Sequence, residues 1–310
     1  MPALPGSAAA VPRKPGVLRR RAVSFVVLWS VMLAVMLPGG EAVADLILLV
    51  LLLIVALAGQ AEFHTLWEKR GWACWKAGGM TAGALLIAGG FFLLTGGHDS
   101  RQGFATHGEF ETGLLALFVL VSGTRCLFLA SGNSAIHSLS LTLLGVLYVP
   151  WLLNFMQKIY FLQGIHPHGR AWLLYLMAVT KLGDTGGYVA GSLAGRHKIA
   201  PHISPGKTWE GLCGALLTAV ATSMIIAHFA NDGLAHMRSL EAALLGLVLG
   251  LAAVAGDLVE SAFKREAGVK DSGALLPGIG GVLDLIDSLL FTAPVLYLYL
   301  CWFPALTPRA

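Results

Sequence analysis

Residues 42–58 read AVADLILLVLLLIVALA, an apolar run interrupted by a single charge at Asp45. A helix needs about 20 mostly apolar residues to cross the hydrocarbon core of a bilayer, and this run comes close to that length. Of the 310 residues, 56% are hydrophobic and 12% are charged, whereas soluble domains carry about 25% charged residues. This composition predicts a polytopic membrane protein. It excludes a disordered chain, a secreted disulfide scaffold and a basic nucleic-acid module, so we expect no nucleic-acid partner.

Further apolar runs predict an all-α fold, a polytopic transmembrane helical bundle of about nine spans. None of them shows the alternating pattern of a membrane β-barrel. The predicted spans are residues 22–38, 42–58, 78–96, 112–130, 137–155, 171–190, 211–230, 239–256 and 288–305.

The basic residues in the connections predict the orientation, because cytoplasmic connections are enriched in Lys and Arg. With the N-terminus in the cytoplasm, that side receives the clusters Arg19–Arg21, Lys69–Arg70 and Lys264–Arg265. The other side receives isolated cations, which are Arg101, Lys158, Arg170, Arg238 and Arg309. We therefore expect a multi-pass protein of the cell (inner or cytoplasmic) membrane, with its active site facing the cytoplasm.

The first predicted span has two interpretations. Basic residues, an apolar run and then Ala42-Val43-Ala44 resemble a secretory signal with its cleavage site. The apolar residues that follow, Leu46 to Val50, favour a retained membrane anchor. We expect residues 1–21 to form a mobile basic tail and residues 22–170 a transmembrane scaffold. Residues 171–310 are expected to form a transmembrane catalytic region with cytosolic motif loops, because ionisable residues crowd into the chain from Lys181 onward.

Asp184 begins a stripe of small residues, with Gly187, Gly191 and Gly195 spaced three or four apart on one helix face. Close helix packing explains the glycines well, and such stripes permit a homodimer interface without requiring one. The carboxylate is different, because an ionisable group inside a membrane segment points to function. Its structural alternative is an ion pair with Lys181.

The next segment, Ser204-Pro205-Gly206-Lys207-Thr208, is a short cationic loop. It is not a P-loop, because that motif needs a glycine where Pro201 stands and a preceding strand, which we do not expect here. Hydroxyl, ammonium and backbone donors suit phosphate oxygens, so Ser204, Lys207 and Thr208 are predicted to bind substrate. The alternative is that the cations only enforce the membrane topology.

Acidic residues concentrate in a third segment. One helical face is expected to carry Asp257, Glu260, Ser261 and Lys264, and a second face follows with Asp284 and Asp287. Two aspartates on one face, with a third from another helix, make an oxygen-rich site for Mg²⁺. The nearby cations suit the phosphates that Mg²⁺ accompanies. These residues indicate phosphate and metal chemistry at a membrane surface, and both phosphoryl and nucleotidyl transfer remain open.

The third segment continues as a long motif, Ser261-x-Phe263-Lys264-Arg265-x4-Lys270-Asp271-x-Gly273-x2-Leu276-Pro277-x-Ile279-Gly280-Gly281-x2-Asp284-x2-Asp287. This motif closely resembles the signature of the phosphatidate cytidylyltransferase (CDP-diacylglycerol synthase) family. Residues 204–211 and 184–188 resemble two further family motifs, and Glu62-Phe63 with Lys69-Arg70-Gly71 resembles a weaker one. The resemblance spans roughly residues 45–305.

The resemblance implies an integral-membrane nucleotidyltransferase of phospholipid biosynthesis. It would make CDP-diacylglycerol and pyrophosphate from CTP and phosphatidic acid or a related lipid phosphate, with Mg²⁺ alone or with a second cation. The implied metal ligands are Asp257, Asp284 and Asp287. The implied catalytic cations are Lys264, Arg265 and Lys270. The implied substrate-binding residues are Asp184, Ser204, Lys207, Thr208 and Ser261.

Three positions depart from the family pattern, and they leave two other functions open. Ile279, Leu285 and Gly206 stand where the family usually has His, Arg and Lys. The lipid acceptor is therefore less determined than the chemistry. One alternative is a CTP-dependent polyprenol or phytol kinase, which the long match to the signature disfavours. The other is a non-catalytic lipid-binding or transport relative, which the residues Ile279 and Leu285 motivate.

Overall fold

A computed structural model describes residues 41–95, 107–128, 133–162, 169–229, 237–273 and 280–303. In this part of the chain the fold is a helical bundle with one short β-hairpin, which confirms the predicted fold class. The elements in chain order are α1 (Glu41–Lys69), α2 (Lys76–Thr95), α3 (His107–Phe128), α4 (Asn133–Val146), a π-helical segment (Leu147–Trp151), α5 (Leu152–Tyr160), α6 (Gly169–Ala194), β1 (Lys198–Ala200), β2 (Ser204–Thr208), α7 (Trp209–Phe229), α8 (Ser239–Glu266) and α9 (Leu283–Trp302).

Seven stretches of the described residues are long and apolar enough to cross a membrane, as expected of a multi-pass membrane protein. They are α1, α2, α3, the continuous stretch Ala135–Tyr160, α7, α8 and α9. Helix α6 corresponds to the predicted span 171–190 and has 26 residues. It is not among the seven, because Lys181 and Asp184 lower its hydropathy. The predicted tail 1–21 and span 22–38 lie outside the described residues, so the count of nine stays a prediction.

The glycine stripe of α6 packs against α7. A Cβ atom added at Gly187 would lie 3.0 Å from Ala215 Cβ, and one at Gly183 would lie 3.4 Å from Ala219 Cβ. One added at Gly191 would lie 3.2 Å from Thr208 Oγ1. The packing interpretation of these glycines is therefore confirmed within one chain, while a homodimer stays a prediction.

The segment between α6 and α7 differs from the expectation that it contains no strand. Strands β1 and β2 form an antiparallel hairpin, with Lys198 opposite Thr208 and Ala200 opposite Ser204. The turn is closed by Ile203 N–H, which donates to Ala200 O at 3.1 Å. Strands of three and five residues are too short to show the alternating pattern by which strands are recognised in a sequence. Because one of the strands is the Ser204–Thr208 segment itself, the arrangement is still not that of a P-loop.

Several contacts join the hairpin to the helix ends around it. The Glu210 carboxylate, at the start of α7, accepts hydrogen bonds from the backbone N–H groups of Arg196 and His197. Arg265 Nε, at the end of α8, donates to Ile203 O at 3.0 Å. The ends of α1 and α8 are joined by an ion pair between Arg70 and Glu266 at 3.2 Å. One end of the bundle thus gathers the hairpin and three helix termini.

Helix α1 also supports the start of α9. The Leu283 N–H donates to Glu62 Oε2 at 2.9 Å across 221 residues of sequence, and the Ser272 hydroxyl donates to the same oxygen at 3.4 Å. The first N–H groups of a helix have no partner within the helix, and a carboxylate also complements the dipole there. Glu62 is buried, so its carboxylate fixes where α9 begins relative to the scaffold.

The Glu62→Ala variant is expected to lose about 1–3 kcal/mol of unfolding free energy, because the Leu283 N–H is left buried without its acceptor. Thermal and denaturant unfolding of the purified protein in detergent measures the loss. The matched control is Glu68→Ala on the same helix, which removes an exposed ion pair with Lys76 and should cost no more than about 1 kcal/mol. Equal losses in the two variants would contradict the role of Glu62.

Candidate active site

A cavity of about 540 Å³ opens between α6, the hairpin, α7 and α8. Its wall contains four of the five predicted substrate-binding residues, Asp184, Ser204, Lys207 and Thr208, together with Asp257. These residues come from three different elements, α6, β2 and α8, and their separation in sequence reaches 73 positions, from Asp184 to Asp257. The fold therefore brings the separate polar segments of the sequence to one cavity.

Lys207 supplies a cation to this cavity and is itself held by α8. Its Nζ lies 2.9 Å from Asp257 Oδ2 and donates to Val254 O at 3.2 Å. The Asp257 side chain is 40% exposed, while that of Lys207 is 19% exposed. The ammonium group is thus positioned at the cavity wall, where it can attract an anionic ligand such as a phosphate.

The other hairpin residues at the cavity differ in how accessible they are to a ligand. Thr208 is buried, and its Oγ1 accepts a hydrogen bond from Gly211 N–H at 3.1 Å, so it caps α7. Ser204 is half-buried at the cavity wall. Gly206 also lines the cavity, and an added Cβ would meet no atom within 4 Å. The lysine usual in the resembled family would therefore have room at this position.

Three acidic side chains form a second feature beside the cavity, which we call the carboxylate group. It consists of Asp257, Glu260 and Asp287, and one oxygen from each lies within 4.8 Å of the other two. Glu260 and Asp287 are buried, and Asp257 is half-buried. Ser261, the fifth predicted substrate-binding residue, donates its hydroxyl to Asp257 Oδ1 at 3.3 Å. Asp257 therefore belongs to both the cavity and the carboxylate group.

Glu260 was not predicted as a metal ligand, although its position three residues after Asp257 was a usable signal. One of its oxygens forms an ion pair with Lys264 Nζ. The other, Oε1, is buried and accepts no hydrogen bond from the described residues. A buried carboxylate oxygen without a donor is costly, so this oxygen is suited to a bound cation.

The charges around the carboxylate group are unbalanced. Three lysines face five carboxylates in the connected contacts, namely Lys181, Lys207 and Lys264 with Asp184, Asp257, Glu260, Asp284 and Asp287. An excess of negative charge in a poorly hydrated place favours a cation, and hard divalent ions prefer oxygen ligands. The donor set and its charge therefore fit Mg²⁺, with Asp257, Glu260 and Asp287 as the residues that could hold it.

Asp284 lies apart from the carboxylate group. Its Oδ1 lies 2.6 Å from Lys264 Nζ, and its Oδ2 accepts hydrogen bonds from Gly281 N–H at 2.7 Å and the Ser272 hydroxyl at 2.6 Å. Gly280, just before, has a φ of 120°, and a Cβ there would lie 2.5 Å from Asp284 Oδ2. Asp284 thus stabilises the turn before α9. Of the three predicted metal ligands, Asp257 and Asp287 lie together in the carboxylate group.

The three predicted catalytic cations occupy different surroundings. Lys264 contacts both Glu260 and Asp284, and its side chain is 12% exposed. Arg265 is exposed and donates to the backbone oxygens of Ile203 and Val269. Lys270 is exposed in the segment after α8. Lys264 therefore forms structural ion pairs as well as having its predicted role, while Arg265 and Lys270 are both accessible to a ligand from solution.

A hydrogen-bonded link joins the cavity to α9 through Ser288. The Lys181 ammonium donates to Ser288 Oγ at 3.0 Å and to Leu285 O at 2.8 Å. The Ser288 hydroxyl donates to Asp184 Oδ2 at 3.0 Å, and Ser288 N–H donates to Asp287 Oδ1 at 2.6 Å. Lys181 and Asp184 also form the anticipated ion pair, at 3.6 Å. Asp184 is therefore both a lining residue and part of the α6–α9 contact.

Two of the departures from the resembled family can be located. Leu285 packs against the main hydrophobic core, so the cation usual at this position is replaced by an apolar contact. Gly206 lines the cavity and leaves room for a larger side chain, as described above. Ile279 lies outside the described residues.

Residues 19–303 match the sequence model of the cytidylyltransferase family. The chain belongs to this family. The match covers the described elements from α1 to α9, so the bundle, the hairpin and the polar site are features of a cytidylyltransferase-family protein.

Individual relatives agree with this membership. A phosphatidate cytidylyltransferase of Haemophilus influenzae is 47% identical over 128 residues, which are 41% of this chain and 44% of that protein. A phosphatidate cytidylyltransferase of Staphylococcus epidermidis is 38% identical over 189 residues, 61% of this chain and 68% of that protein. The uncharacterized protein YnbB of Escherichia coli is 40% identical over 195 residues, 60% of this chain and 63% of that protein. The chain thus matches between 44% and 68% of the length of these relatives.

The Lys264→Met variant is expected to have an unfolding free energy about 3–5 kcal/mol lower than that of the parent protein, because it leaves Glu260 and Asp284 buried without their shared counter-charge. Denaturant unfolding in detergent measures the difference. The control is Lys270→Met, which removes an exposed cation and should change the unfolding free energy by less than about 0.5 kcal/mol. An unfolding free energy of Lys264→Met equal to that of the parent would show that Lys264 does not stabilise the fold.

Proposed function

We propose that this protein transfers the cytidylyl group of CTP to the phosphate of phosphatidic acid, giving CDP-diacylglycerol and pyrophosphate. Family membership and the phosphatidate cytidylyltransferase relatives support this reaction. The single observation that carries it is the double position of Asp257, which lines the cavity and also belongs to the carboxylate group. A nucleotide in the cavity would therefore have its phosphates beside the proposed cation site.

The reaction requires attack by one lipid phosphate oxygen on the α-phosphorus of CTP. A new bond forms between that oxygen and the α-phosphorus. The bond from the α-phosphorus to the oxygen bridging to the β-phosphate breaks, and pyrophosphate leaves with that electron pair. The attacking phosphate is already ionised at neutral pH, so the step needs no general base. What the protein must supply is positioning and stabilisation of the negative charge.

The chain offers residues for both tasks. Lys207 at the cavity wall would neutralise phosphate oxygens of the nucleotide, and exposed Lys270 with Arg265 would approach the phosphates from the surface. Asp184 and Ser204 would contact the nucleotide in the cavity. Thr208 and Ser261 would act through their neighbours, because Thr208 caps α7 and Ser261 hydrogen-bonds Asp257.

Mg²⁺, when bound, would neutralise charge on the reacting phosphates. We assign Asp257, Glu260 and Asp287 to hold it. Asp284 is assigned the task of positioning Lys264 and the start of α9, from which Asp287 projects one turn later.

The proposed setting is the bacterial cell membrane with the site at the cytoplasmic face, where CTP is present. The excess of Lys and Arg in the connections predicted for that side supports this orientation. The lipid would reach the site from the bilayer, because the carboxylate group lies on α8 and α9, which are both apolar enough to span it.

Product analysis with α-labelled CTP, phosphatidic acid and Mg²⁺ tests the reaction on the purified protein. The proposal predicts labelled CDP-diacylglycerol and one pyrophosphate for each lipid formed. Release of labelled CDP with a phosphorylated polyprenol or phytol would identify a kinase instead. Binding of CTP without any lipid product, across phosphatidic acid and other lipid phosphates, would identify a non-catalytic relative.

The Asp287→Asn variant is expected to lose at least about 100-fold in Mg²⁺-dependent turnover, because a buried member of the carboxylate group loses its charge. Its folding should persist, since the amide oxygen can still accept the hydrogen bond from Ser288 N–H. Turnover and circular dichroism at several Mg²⁺ concentrations measure the two effects. The control is Glu266→Gln, an exposed residue of α8, which should keep near-parent turnover. Unchanged activity of Asp287→Asn would remove Asp287 from the metal site.

A further inference from the structure

Tyr148 belongs to the first half of the chain, yet its ring packs against α8, the helix that carries Asp257 and Glu260. Phe263, the residue that it contacts on that helix, follows Glu260 by three positions. The residue is only 5% exposed, and the hydroxyl has no hydrogen-bond partner among the described residues. A buried hydroxyl normally has a partner, so an unpartnered donor packed against the part of α8 that carries Glu260 requires a physical explanation.

The surrounding structure fixes the direction of this side chain. The Tyr148 ring packs edge-to-face on Phe263 at a centroid distance of 5.1 Å, and it lies 5.8 Å from the ring of Phe63. Aromatic pairs of this kind fill a core and restrict ring orientation. The Tyr148 ring is therefore held in place by rings from two other helices, α1 and α8.

The backbone at Tyr148 is also unusual. Residues Leu147–Trp151 form a π-helical turn within an otherwise α-helical stretch, and Pro150 lies inside it. Proline lacks the N–H needed for the regular helix ladder, and π turns inside helices occur frequently at functional sites. The turn contains Tyr148, whose ring contacts Phe263 of α8.

The complementary group is present on α8. Glu260 Oε1 is a buried acceptor without a donor among the described residues, and Tyr148 is a buried donor without an acceptor among them. We propose that Tyr148 is a positioning residue for the carboxylate group: when a divalent cation is bound, its O–H donates a hydrogen bond to a carboxylate of that group and orients the carboxylate toward the cation. This inference rests on the proposed function, because it assumes the metal site at Asp257, Glu260 and Asp287.

Tyr148→Phe tests the proposal, because it removes only the hydroxyl and keeps the ring that packs on Phe63 and Phe263. The dissociation constant for Mg²⁺, measured by calorimetry on the purified protein without substrates, is expected to rise by about 10-fold, as is typical when a hydrogen-bond partner of a metal ligand is lost. The melting temperature of the metal-free variant is expected to equal or exceed that of the parent. In the metal-free state the hydroxyl has no partner within the part of the chain that the structure describes, so no hydrogen bond is lost when it is removed.

Tyr175→Phe is the matched control. Tyr175 is also buried, but its hydroxyl is hydrogen-bonded to Ser223 at 2.7 Å, toward the opposite end of the bundle. This variant should melt at a lower temperature with and without Mg²⁺, while its Mg²⁺ dissociation constant stays at the parent value. A purely structural role of Tyr148 would give the same pattern in Tyr148→Phe and would overturn the proposal.

Asp287→Asn separates this inference from the proposed function. If Asp287→Asn weakens Mg²⁺ binding and Tyr148→Phe leaves the dissociation constant within twofold of the parent, the metal site stands and the role of Tyr148 is overturned. If Asp287→Asn also leaves the dissociation constant unchanged, the metal site itself is wrong, and the inference falls with it. If both variants weaken Mg²⁺ binding and Tyr175→Phe does not, the proposal is supported.

Discussion

The Lys264 ammonium lies between the carboxylates of Glu260 and Asp284, and the rest of the site depends on this contact. Charges removed from water are tolerated only when they are closely paired. Because Glu260 precedes Lys264 by one turn of α8 and Asp284 opens α9, the three charges fix how α9 meets α8. That arrangement brings a carboxylate oxygen of Asp287, one turn into α9, within 4.8 Å of oxygens of Asp257 and Glu260. The same helix pair then presents Asp257 to the cavity.

The acidic residues of the site divide into two kinds according to their hydrogen-bond donors. Both oxygens of Asp284 are occupied, by Lys264, Gly281 N–H and Ser272, so this carboxylate stabilises the turn before α9. Glu260 retains a buried oxygen without a donor among the described residues, which suits a bound cation. A carboxylate in such a motif therefore acts structurally where backbone donors surround it, and is available for ligation where they do not.

Helix α1 supports the site from the first half of the chain. Glu62 accepts a hydrogen bond from Leu283 N–H at the start of α9, and Phe63 packs beside Tyr148. The hairpin adds a third support, since Lys207 and Arg265 connect it to α8 at two points. The site is consequently held from several directions. Rigid support of this kind is what precise positioning of phosphates requires.

The sequence by itself determined the membrane class, the helical architecture and the identity of most polar residues at the site. Hydropathy and local spacing carry this information, since a span or a helix face depends on residues close together in the chain. The hairpin was missed because its strands are short. Only the tertiary structure separated Asp284 from Asp287, added Glu260 to the carboxylate group and packed Tyr148 against α8. Those relations depend on contacts between different elements and on which donors surround each buried charge, and local spacing contains neither.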